Sequence, residues 1–138
     1  MKLIFKKKEN KISNIIKEKI TSHKKVTVSL LGGKPCTIWA VDDRFFASDK
    51  LPEKMDYCVF DIIYDLLKRK GGKVKKGLGR GYRVGEEKCT RDTIMGTLAY
   101  EYYGKQDGES TLDPVFVLVA ILDWANIARN CRGYIELI

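Results

Sequence analysis

Hydrophobic and polar positions change rhythm several times along the chain. Ile12, Ile15, Ile16 and Ile20 recur at the spacing of one helical face, with Lys11, Lys17 and Lys19 off it. The pattern predicts an amphipathic helix capped by Asn10, after a short strand at "MKLIF". From Val26 the period becomes two. Val26, Val28 and Leu30 alternate with Thr27 and Ser29, as on a half-buried strand. "GGKP" is a turn signal, "CTIWAV" a second strand, and "DDR" a turn into a third at "FFAS". Together they predict a small antiparallel meander.

The helical period returns over 57–70, where Val59, Ile62, Ile63, Leu66 and Leu67 form an apolar face with Phe60 beside it. Asp56 caps this helix, Lys68, Arg69 and Lys70 favour its C-terminal dipole, and Gly71 and Gly72 stop it. "GYRVG" at 81–85 reads as a strand. A second helix follows over 91–103, capped by Thr90 and closed by Gly104, with Ile94, Leu98 and Tyr102 on one side. Asp113 and Pro114 start a third over 114–129. Its run "VFVLVAIL" is apolar all round, which marks the centre of a core. "RGYIELI" ends the chain as a strand with Tyr134, Glu136 and Ile138 on one face.

These elements predict an α+β fold, a β meander plus a three-helix unit. Residues 1–50 form the helix-and-meander part and 51–138 the helical part with its terminal strand, as two subdomains or one compact domain. The later order is compatible with a winged helix-turn-helix. Two features oppose the strict version: the third helix is too apolar to read bases, and one terminal strand leaves none for a wing. The expectation is a variant with the wing placed early.

Charge sharpens the picture. The 138 residues carry a net charge of +8, unevenly spread. Residues 1–25 hold nine basic and two acidic groups, 57–85 eight and two, and 86–138 five and nine. The segment "KRKGGKVKKGLGRGYRVG" at 68–85 contains eight cations, six glycines and no acid. Lysines and arginines on a backbone freed by glycine can follow phosphates, and helix N-termini also bind them. The expected contacts are Lys68, Arg69, Lys70, Lys73, Lys75, Lys76, Arg80, Tyr82, Arg83, Thr90 and Arg91. A solvated loop that binds nothing has the same composition.

Other chemistries find less support. Cys36, Cys58, Cys89 and Cys131 are scattered without a CxxC pair, and His23 is the only histidine, so no zinc site is expected. "GLGRG" lacks the spacing of a dinucleotide loop, and "GKVKKGLG" has leucine where the Walker pattern needs lysine. No cofactor is expected. Asp42 and Asp43 read as a turn, and Glu86 and Glu87 as charges offsetting the basic loop. The N-terminal apolar run is too short for a signal peptide, and no segment is long enough for a membrane span. The reading is a reduced, cytoplasmic protein that binds nucleic acid, DNA in the first instance, as a regulator or accessory module without chemistry of its own. The alternatives are a protein-interaction adaptor and, third, a small nuclease or nucleotide enzyme.

Overall fold

A computed structural model describes residues 11–138, so the strand expected at "MKLIF" and the cap at Asn10 lie outside the described residues. Helix α1 (Ile12–Thr21) buries Ile16 and Ile20, with Ser13 beside them. A carboxylate from another helix caps it: the Ser13 N–H donates to Asp61 Oδ1 at 2.9 Å. Asp61 also lies in the first turn of its own helix, where negative charge favours the dipole.

The meander forms as its alternation requires. Strands β1 (Val26–Ser29), β2 (Pro35–Ala40), β3 (Phe45–Ser48) and β4 (Met55–Asp56) pair antiparallel in chain order. Val28 opposes Cys36, Val26 opposes Ile38, and Phe46 opposes Met55, all on the buried face. Asp42 turns β2 into β3 by accepting the N–H groups of Arg44 and Phe45 at 2.8 and 2.9 Å.

Helix α2 (Cys58–Arg69) buries Val59, Phe60, Ile63, Leu66 and Leu67. Asp56 caps it through Oδ1, which accepts the Cys58 N–H at 2.8 Å. Gly71 and Gly72 end it at φ +78° and +98°, and the Gly72 N–H reaches back to the Leu67 carbonyl at 2.7 Å. Strand β5 (Lys73–Lys75) follows, then an irregular segment, helix α3 (Ile94–Glu101) and helix α4 (Val115–Trp124). Strands β6 (Ala128–Asn130) and β7 (Tyr134–Leu137) complete a second sheet ordered β5-β7-β6, antiparallel throughout.

Among the described residues, four helices and two antiparallel sheets make the fold α+β. Seven of the ten residues of α4 are buried, as its apolar run requires. The helix packs against both β1 and β6. One apolar cluster runs from Ile16 through Phe46 and Phe60 to Leu118 and Ile135.

Three local expectations are corrected. The third helix stops at Trp124, not 129, because Asn126 adopts φ +63° and the Ile127 N–H closes on the Leu122 carbonyl at 3.0 Å. The chain released there forms β6, so β7 pairs with it in a hairpin where a single strand was expected. Residues 81–85 are not a strand; the strand is β5, eight residues earlier at its start. The second helix begins at Ile94, with Thr93 as its cap: Thr93 Oγ1 accepts the Gly96 N–H at 3.0 Å. Thr90 instead offers its carbonyl to the N–H and hydroxyl of Thr93.

Candidate nucleic-acid interface

Strand register fixes the outward face of the second sheet. Lys75 stands opposite Tyr134, and Lys73 and Arg129 both stand opposite Glu136 from either side of β7. Val74 and Ile135, on the alternate face, are buried. Cross-strand partners share a face, so Lys73, Lys75, Arg129, Tyr134 and Glu136 form one surface, with a single carboxylate among them. The Lys73 ammonium lies 4.2 Å from the Tyr134 ring centre, and Arg129 Nη1 lies 3.5 Å from Glu136 Oε1. Arg132 adds an exposed cation at the β6–β7 turn. That turn closes when the Cys131 N–H donates to the Tyr134 carbonyl at 3.0 Å, with Gly133 at φ +83°.

Two neighbours border this face. The Leu137 N–H donates to the Gly72 carbonyl at 2.7 Å, which joins the end of α2 to β7. Lys75 bridges to Thr93, which sets the start of α3 beside β5. Lys70 reaches across that border to Asp92, whose carboxyl is held below the usual range by this hydrogen bond.

The glycine-rich segment is built into the fold rather than solvated. The Leu78 N–H donates to the Lys88 carbonyl at 2.8 Å, the Gly79 N–H to Asp113 Oδ2 at 2.9 Å, and the Val84 N–H to the Glu109 carbonyl at 2.9 Å. Val84 and Cys89 are buried. Gly77 has no substitute: at φ +74°, a Cβ there would stand 2.5 Å from the Lys88 carbonyl oxygen.

This order disperses the cations that adjoin in sequence. Lys73 and Lys75 share the sheet face. Lys76, one residue on, is half-buried on the other side, where burial first and then the Arg132 charge pull its ammonium below the usual range. Arg80 lines a cleft with Lys76 and Phe116, away from the sheet face. Arg83 is anchored away from the sheet, donating from Nη1 to the Gly108 carbonyl at 3.1 Å. Tyr82 is half-buried against the core and Thr90 serves the turn before α3. Arg91 stacks 3.6 Å from the centre of the Tyr100 ring. Lys68 and Arg69 engage Tyr64 and Asp65 on their own helix, at 5.0 and 3.2 Å.

Sequence reasoning missed Arg129, Arg132 and Tyr134 as members of the face. The signal was Asn126, a residue tolerant of the left-handed conformation that ends helices. Ending the helix there would have released Arg129 to a strand opposite Glu136.

Among the described residues, no three His, Cys, Asp or Glu side chains gather as metal ligands, and no helix is long and apolar enough to cross a membrane. No protein-family model, curated protein or solved structure matches the chain.

Proposed function

We propose that the protein binds nucleic acid, DNA in the first instance, through the outward face of β5, β7 and β6, as a cytoplasmic regulator or accessory module without chemistry of its own. The register that brings Lys73, Lys75 and Arg129 onto one face with Tyr134 carries this reading. Three cations on a sheet suit successive phosphates, Arg132 extends the row at the turn, and Tyr134 offers a ring to an unstacked base.

Connectivity supports it. Helix, strand, two helices and a hairpin, with the first strand pairing to the last, is the order of a winged helix, and β6–β7 takes the place of its wing. The helix in the recognition position is α4. Its buried apolar surface leaves few polar side chains to meet base edges, so phosphate contacts dominate and binding tolerates sequence changes. In this reading the wing is the β6–β7 hairpin instead of residues 71–85.

The test is binding of duplexes of unrelated sequence across a salt series. Contacts by Lys73, Lys75, Arg129 and Arg132 give a slope of log affinity against log salt of roughly −3 to −4. Affinities for the different sequences stay within a few-fold of each other. A strong preference for one sequence, or binding indifferent to salt, contradicts the proposal.

A further inference from the structure

Four large apolar side chains stand exposed near α4, at Leu31, Leu78, Leu112 and Phe116. Three of them, Leu31, Leu78 and Phe116, are 48%, 45% and 45% exposed and line one cleft of about 490 Å³. Leu31 comes from the β1–β2 hairpin tip, Leu78 from the ordered glycine-rich segment, and Phe116 from the first turn of α4. Three elements distant in sequence therefore present apolar surface to one concavity, which a solvated surface has no reason to do.

The polar groups of the cleft are as informative. Lys76 and Arg80 line it. Lys76 is half-buried there, and its ammonium has no carboxylate within salt-bridge distance among the described residues. Asp113 is the acid in the wall, but its two oxygens already accept the N–H groups of Gly79 and Val115 at 2.9 and 3.2 Å. Asn130 also lines the cleft.

We propose that this cleft docks an acidic, apolar-anchored segment of a partner protein. Apolar side chains of the segment seat between Leu31, Leu78 and Phe116. A carboxylate of the segment pairs with Lys76 or Arg80. A basic segment is refused by the two cations. Asn130 and Lys76 stand on the opposite side of the sheet from Lys75 and Tyr134, so the cleft and the sheet face can be occupied together.

The probe is a pool of short fluorescein-labelled peptides with Leu and Phe anchors flanked by Asp and Glu, beside a second pool with Lys at every acidic position. The acidic pool binds and the basic pool does not. Phe116→Ser weakens binding roughly tenfold or more, as expected of an anchor. Lys76→Gln weakens it several-fold and flattens its salt dependence, while Lys75→Ala on the sheet face leaves it unchanged. If Phe116→Ser lowers the melting temperature, Leu31→Ser, at a hairpin tip, takes its place. The proposal fails if the parent binds neither pool at millimolar peptide, if the basic pool binds equally, or if the anchor variants bind like the parent. It fails too if sedimentation shows a dimer that Phe116→Ser dissolves, since a second copy then fills the cleft.

Discussion

Lys73 holds its ammonium 4.2 Å from the centre of the Tyr134 ring, across the β5–β7 pair. This cation over an aromatic face lies in the middle of the basic sheet surface. A base stacking on Tyr134 therefore displaces Lys73 from the ring or takes the ring's opposite face.

Tyr134→Ala is expected to weaken binding of a single-stranded oligonucleotide by about 1–3 kcal/mol, the usual value of a lost stacking platform. Tyr134→Phe keeps the ring and the affinity. Neither change alters the salt slope, because neither removes a charge. Fluorescence anisotropy on the three proteins checks this, with a thermal melt showing that each sheet is intact.

Gly96→Ala should be among the most damaging small substitutions in the protein. A Cβ at Gly96 would stand 1.8 Å from the Thr90 carbonyl oxygen, inside the turn that starts α3. Backbone must move to admit it, at a cost of roughly 1–3 kcal/mol or more. Urea denaturation of the variant measures the loss, and a midpoint equal to that of the parent would show that the close approach is not real.

Asn126 separates the two ends of the chain's last helix-to-strand passage. Its φ of +63° is strained for alanine and free of strain for glycine. Asn126→Ala should cost about 1 kcal/mol, and Asn126→Gly should leave stability within about 0.5 kcal/mol of the parent. Equal losses for both would point to the Asn126 side chain instead of its backbone.

These positions also explain how far the sequence could be read. Helix α2 was legible almost to the residue, because Asp56, the apolar face and the Gly71–Gly72 stop act locally. The meander was legible because Val26, Val28 and their partners alternate. Strand β5 was not, since three residues carry no period and only pairing with Tyr134 and Glu136 defines it. The order of the glycine-rich segment was hidden for the same reason: Asp113 and Glu109, which hold it, lie far along the chain. Hence nothing in the sequence separates Lys75 from Lys76, chemically identical and adjacent, although the fold sends them to opposite sides.

Cys58 is exposed yet should react slowly. Partial burial first, and then the Asp56 charge, push its thiol up to about 11. Thiolate is the reactive form, so at pH 8 only about a thousandth of Cys58 is available. Its alkylation by iodoacetamide, followed by mass spectrometry, should still rise about tenfold per pH unit above pH 9, where an ordinary thiol levels off. A plateau near pH 9 would contradict the shift.

Replacing Lys75 or Lys76 singly with alanine tests the central claim most directly. Duplex DNA affinity is measured for each variant and the parent across a salt series. The sheet-face account predicts that Lys75→Ala flattens the slope by about one unit and weakens all sequences alike, while Lys76→Ala leaves slope and affinity unchanged. Equal effects from the two lysines, or no effect from Lys75, would contradict it.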